Sequence, residues 1–209
     1  MKKQLITLAI FLGLGYTMMA QEGDRVYTYY DKSQFLISWD INVPLSNDFI
    51  SKTSVNGARA EYRYFAKRNV SVGVSLGWNT LEEYIPGAVY TDSDGASIYT
   101  DMVRQMKQLP MLAHANYYLS SSESIKPYIG IGLGTNYINS VSYFNIFQHE
   151  DPTWGFMARP EMGIEYIYNN GFGVYANAAY NYSTNSSDIY TSVDGVQGIS
   201  FGIGVLWSY

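Results

Sequence analysis

Alternate-position charges are the chemically loaded feature of this sequence. Arg59, Glu61 and Arg63 recur at every second residue, as do Arg159 and Glu161, with Glu165 four residues further on. Successive side chains of a strand point to opposite faces, so each run lies on one face. Opposite signs at that spacing suit ion pairing across a confined space, and Asp40 is a further acid for such a network. A hydrolytic role for Glu161 and Glu165 fails on distance. Four residues of strand hold them about 13 Å apart, whereas glycosidase carboxyls need about 5–9.5 Å. The two histidines are His114, on a polar strand face with no serine forced beside it, and His149, in an acidic stretch. Gly130, Gly132 and Gly134 alternate mid-strand and lack the spacing and following helix of a phosphate loop. Asp92-Ser93-Asp94-Gly95 opens like a calcium loop but lacks the remaining ligands. The sequence therefore supplies no catalytic constellation, no metal site and no cofactor motif.

The elements that position these residues are strands. Met1-Lys2-Lys3 followed by the apolar run Leu5–Tyr16 has the form of a signal peptide, cut near Ala20-Gln21, and the run is too short to span a bilayer as a helix. Residues 1–20 are thus expected to leave, residues 21–33 to form a periplasmic N-terminal segment, and residues 34–209 to form one domain. Removing Lys2 and Lys3 from the 13 basic residues leaves 11 against 18 acidic ones, a net charge of −7, which excludes a nucleic-acid binder. Eight alternating segments follow: Gln34–Val43, Ala58–Ala66, Val70–Trp78, Arg104–Leu119, Tyr128–Ile138, Phe156–Tyr168, Phe172–Tyr182 and Val196–Tyr209. Pro110 inside the fourth predicts a bulge or irregular pairing. Short connections (66–69, 119–126, 168–171) alternate with long ones (44–57, 79–103, 139–153, 183–195). An even strand number with short turns on one rim and long loops on the other is the layout of a transmembrane β-barrel.

The polar face carries Gly, Ser, Asn and a few paired charges but almost no lysine, unlike a face turned to water. The apolar face therefore turns to lipid. Its aromatic residues Trp78, Tyr166, Phe172, Tyr180, Trp207 and Tyr209 fall near strand ends, as interfacial girdles do. If the short connections mark one rim, Arg63 and Glu165 lie about three residues from their turns, and Arg59 and Glu161 about seven. Matched levels predict Arg59 with Glu161 and Arg63 with Glu165 across a lumen, joined by Glu61, Arg159 and Asp40.

The signal peptide, the alternating strands and the terminal stretch Gly202-Ile203-Gly204-Val205-Leu206-Trp207-Ser208-Tyr209 resemble the small outer-membrane β-barrel family, which includes the OmpA transmembrane domain and OmpX. Leu109-Pro110-Met111-Leu112, Lys126-Pro127-Tyr128-Ile129-Gly130-Ile131-Gly132 and Gly163-Ile164-Glu165-Tyr166 resemble middle strands of porin-family barrels of Bacteroidota. The resemblance implies an all-β, eight-stranded antiparallel up-and-down barrel with short periplasmic turns and long extracellular loops. It also implies insertion by the barrel-assembly machinery through the C-terminal strand, and contact with outer-membrane lipid and lipopolysaccharide. A peptidoglycan-binding domain, which would follow such a barrel, is not expected. The role expected is non-enzymatic: envelope support, or display of loops bearing Tyr84, Tyr90, Tyr99 and Tyr190 to an envelope protein partner. The alternatives are a narrow conduit for small amphipathic molecules and a lipid A-modifying enzyme.

Overall fold

A computed structural model describes residues 32–46, 49–91, 95, 97–119, 124–144, 147–168, 171–186 and 195–209. The expected signal peptide and nearly all of the 21–33 segment lie outside the described residues, as do Asp92, Asp94 and Tyr190. Eight strands run β1 (Ser33–Ser46), β2 (Ser54–Lys67), β3 (Val70–Thr91), β4 (Ser97–Tyr118), β5 (Ile125–Phe144), β6 (Phe147–Ile167), β7 (Phe172–Ser183) and β8 (Val196–Ser208). Each pairs antiparallel with its sequence neighbour, and β8 returns to β1 to close the barrel. Closure is completed outside the ladder by Ser33 N donating to Tyr209 O at 3.0 Å and Tyr209 N donating to Ser33 O at 2.9 Å. No edge is left along the seam, which is what a sheet inside hydrocarbon requires.

Alternation turns the apolar face outward. Val72, Val74, Leu76 and Trp78 of β3, and Ile129, Ile131 and Leu133 of β5, are all exposed. No helix among the described residues is long and apolar enough to cross a membrane. A closed barrel wearing a continuous apolar belt crosses it with strands instead. The nine residues from Val70 to Trp78 match the length a tilted spanning strand needs. Aromatic residues bound the belt. At the short-turn rim Phe35, Trp207, Phe172, Tyr168 and Tyr166 form a chain of ring contacts across the β1–β8 seam, with centroids 4.9–6.4 Å apart. At the other rim stand Trp78, Tyr180 and, beyond the girdle residues named from the sequence, Trp39 and Trp154.

Two expectations need correction. The stretches 79–103 and 139–153 are not loops: β3 and β4 run on to a connection at 92–96, and β5 and β6 to one at 145–146. Beyond Asn79, β3 pairs with β4 alone. Above the belt the hydrophobic phase inverts. Leu81, Met102, Met106 and Ile138 are apolar on the inward face and buried, while Glu82, Tyr84 and Asp101 face out. Water has replaced lipid as the outer solvent there, so the alternation changes sign and no longer reads as one strand. The second correction concerns the lumen, which is not polar throughout. Leu36, Ile167, Tyr175 and Leu206 form a buried inward cluster toward the short turns. At the opposite end Phe49 and Ile50, from the β1–β2 connection, pack against Leu81, Met106, Ile138 and Val196.

Pro110 leaves a gap in the β3–β4 ladder between Leu76–Met111 and Asn79–Gln108, with the register unchanged. Gly77 lies opposite its ring, where a Cβ would sit 2.8 Å from Pro110 Cγ. The proline is thus accommodated by a missing side chain rather than by a bulge. The shift in that ladder comes higher, between Ile85 and Ala88.

Two substitutions test this arrangement. Phe49→Ala empties the upper cluster and is expected to cost about 3–5 kcal/mol in reversible urea unfolding from lipid vesicles. Ile131→Arg, at mid-belt, is expected to cost about 2–4 kcal/mol in the same assay, whereas on a water-facing surface it would cost almost nothing.

Candidate functional site: an ion-paired lumen

The middle of the barrel is filled by charge. Strand β2 turns Arg59, Glu61 and Arg63 inward, β6 turns Arg159, Glu161 and Glu165 toward them, and β1 adds Asp40; all seven are buried. Arg59 Nη1 donates to Glu161 Oε2 at 3.0 Å, and its Nε lies 3.6 Å from Asp40 Oδ2. Arg63 is the hub. Its Nε donates to Glu61 Oε1 at 2.6 Å, Nη1 to Glu165 Oε1 at 2.7 Å, and Nη2 to Glu161 Oε1 at 3.4 Å. Arg159 Nε donates to Glu161 Oε2 at 3.3 Å, Nη1 reaches Asn181, and Nη2 lies 3.7 Å from Asp40 Oδ2. Glu61 also lies 3.5 Å from Arg59, so three guanidinium groups and four carboxylates form one connected set.

Neutral side chains complete it, and these were not picked out from the sequence. Tyr118 OH donates to Glu165 Oε1 at 2.9 Å, and Gln34 Nε2 donates to Glu165 Oε2 at 3.2 Å. Tyr128 OH accepts from Arg63 Nη2 at 3.1 Å, and the same ring lies under the guanidinium, 4.5 Å from its centroid. Inward tyrosines are hard to find in a chain whose belt also carries outward ones such as Tyr62, Tyr117 and Tyr166; only strict parity with Asn116 and Gly130 separates Tyr118 and Tyr128. Glycines make room for these side chains. A Cβ on Gly163 would meet the Tyr128 ring at 2.7 Å, and one on Gly132 would meet His114 Cε1 at 2.7 Å.

His114 calls for a correction. A serine does stand beside it: Ser75 Oγ lies 2.7 Å from His114 Nε2, from the neighbouring strand β3. The pairing is a cross-strand consequence of register, invisible along the chain. Both residues are buried in the lumen and face away from lipid, so the pair has no approach for an acyl substrate. Glu61, His114 and Glu161 also bring ligand-type atoms within 4.8 Å of one another. Arg59 and Arg63 already contact both carboxylates, which makes the spot an ion-pair centre rather than a cation site. His149 is exposed on β6, distant in register from all of these. Above the charges a cavity of about 30 Å³, lined by Asn42, Gln108, Asn136, Asn181 and Leu81 among others, has room for little more than water.

A closed antiparallel barrel with an oily outer belt and a packed, ion-paired interior defines an integral outer-membrane β-barrel of the small, eight-stranded kind. No family model and no curated protein matches the sequence. Among solved structures the chain is similar to Neisserial surface protein A, with a TM-score of 0.54, 15% identity, and coverage of 85% of this chain and 97% of that one. It is likewise similar to Ail, the attachment invasion locus protein of Yersinia pestis, with a TM-score of 0.51, 13% identity, and coverage of 85% and 97%. A second structure of Ail, in complex with the heparin analogue sucrose octasulfate, gives 0.50 at 14% identity with the same coverage. At these identities the likeness is one of fold.

Removing the hub tests the network. Among the described residues Arg63→Met leaves Glu165 without an ion pair and Glu61 with Arg59 alone, and is expected to destabilise the barrel by about 3–5 kcal/mol. Adding Glu61→Gln and Glu165→Gln to that variant should recover much of the loss, because the cost lies in unpaired buried charge; unfolding midpoints in vesicles measure both.

Proposed function

We propose that this chain is a non-enzymatic structural barrel of the outer membrane, which reinforces the envelope and displays its two extended hairpins to a partner. The observation that carries this reading is the filled lumen. A charge network occupies its middle, and apolar clusters close it on both sides. Narrow barrels filled by their own side chains are walls rather than pores. The signal peptide, the C-terminal strand as the signal for the assembly machinery, and contact with lipopolysaccharide belong to the same proposal.

The hairpins β3–β4 and β5–β6 rise past the belt, and Tyr84, Val89 and Tyr99 of the first are strongly exposed. Tyr84 OH donates to Asp101 Oδ2 at 3.2 Å, a bond to a carboxylate that raises the Tyr84 pKa and keeps the hydroxyl a donor. Ail has been captured with a sulfated sugar analogue, whereas the hairpin end of this chain is acidic among its described residues and favours a partner of the opposite charge. Glu82, Glu83, Asp101, Glu150 and Asp151 outnumber Lys52, Arg104 and Lys107 among its described residues. The partner that fits is basic.

Planar-bilayer recordings of the purified full chain are expected to show no steady conductance. Sustained unitary currents would instead support the conduit reading. Mass spectrometry of lipid A is expected to give the same profile with and without the protein, and a changed profile would support a lipid-modifying enzyme.

A further inference from the structure

Among the described residues the two ends of the barrel differ in charge, and the short-turn end is the basic one. Lys32, Lys67 and Arg68 are all exposed there. Phe65 N donates to Lys32 O at 2.8 Å, which sets Lys32 beside the end of β2, two residues before Lys67. Lys67 pairs with Val70 across the turn that carries Arg68. The three cations are therefore gathered on one hairpin end and the strand start next to it. Lys126 lies close by, its Nζ 5.8 Å from the centroid of the Phe65 ring.

Directly above these cations, on the outer face, stand Tyr62 and Tyr64, both exposed, and Tyr62 OH lies 2.9 Å from Ser33 Oγ. Rings of this kind sit at headgroup depth. The belt therefore ends just where the positive charge begins, so Lys32, Lys67 and Arg68 lie at the level of lipid phosphates rather than out in free solution. Their ammonium and guanidinium groups are suited to phosphate and to an anionic surface.

We propose that the hairpin end formed by Lys32, Lys67 and Arg68 is a binding surface for anionic phospholipid headgroups of the leaflet on the short-turn side. The proposal rests on the membrane-spanning reading of the barrel. It makes the turn rim the lipid-selective end of the protein and leaves the acidic hairpin end for other partners. It also couples headgroup charge to the seam, because β1 begins at Ser33, next to Lys32.

The test is native mass spectrometry of the full chain released from bilayers that mix phosphatidylglycerol with phosphatidylcholine. The wild-type chain should retain phosphatidylglycerol in excess of its bilayer fraction. Each cation removed should lower that excess about fivefold at low ionic strength, with added salt weakening it further. K32Q/K67Q/R68Q should therefore retain the two lipids in their bulk ratio, while K52Q/K107Q at the opposite rim should behave as wild type. Circular dichroism shows whether each variant has folded, and single substitutions replace the triple one if it has not. Retention in the bulk ratio by the wild-type chain overturns the proposal, as does a preference undiminished in K32Q/K67Q/R68Q or lost in K52Q/K107Q. A chain that does not enter bilayers at all defeats the membrane reading instead, a separate and distinguishable result.

Discussion

Hydrocarbon offers no hydrogen bonds, and the rest of the structure follows from that constraint. Every backbone amide inside the membrane has to find its partner within the protein, so the sheet must close on itself. Here β8 closes on β1 through an unbroken run of pairs from Gln34–Ser208 to Pro44–Gly198. This barrel closes with eight strands, and eight strands leave an interior only wide enough for side chains. The outer face then has to be apolar over the belt, and the polar residues have nowhere to go but the axis. The sidedness of Val72, Val74, Leu76 and Trp78 against Ser71, Ser75 and Asn79 is a direct result.

What fills a narrow axis is decided by reach and pairing. Arginine and glutamate are long enough to meet at the centre from opposite walls, and both demand compensation once buried. Arg63 meets that demand with bonds to Glu61, Glu161 and Glu165 and to the hydroxyls of Tyr118 and Tyr128. The apolar clusters beyond the charges matter as much, because Leu36 with Leu206 at one end and Phe49 with Ile50 at the other keep bulk water away. In a drier interior each ion pair is stronger, and each unpaired charge costs more. The network locks the relative level of β2 and β6, which register along either strand alone does not guarantee. That rigidity suits a wall and opposes a gate.

Within the belt the fold is readable because one solvent imposes one pattern. Val70–Trp78 alternates cleanly, and so do the charges of β2 and β6, whose facing positions follow from parity and distance to the turns. Legibility fails where the outer solvent changes. From Leu81 upward the apolar residues move to the inner face, so a single strand presents two opposed phases and resembles a loop. Pairings between strands are equally hidden: Ser75 meets His114 only because Leu76 is in register with Met111. The Phe49–Ile50 plug carries no periodic signal at all. A dipeptide in a connection owes its burial to the side chains around it, and those come from β3, β4, β5 and β8.

A filled barrel has its chemistry on the outside. The lumen groups that look reactive, Ser75 with His114 and the carboxylates beside them, are held by neighbours and sealed above and below, so their burial serves stability. The surfaces that remain available are the belt, the turn rim and the hairpins above the membrane. The hairpins are costly features to maintain, since β3 beyond Asn79 has a single pairing partner and its free edge faces water. Pro86 and the register shift between Ile85 and Ala88 break that edge where an incoming strand would otherwise add to it. The edge is thus protected from indiscriminate pairing while the outward face keeps Tyr84, Val89 and Tyr99 exposed beside Asp101. An extension blunted along its edge and aromatic on its face is suited to contact through side chains rather than through its backbone, which is what the proposed display to a partner requires.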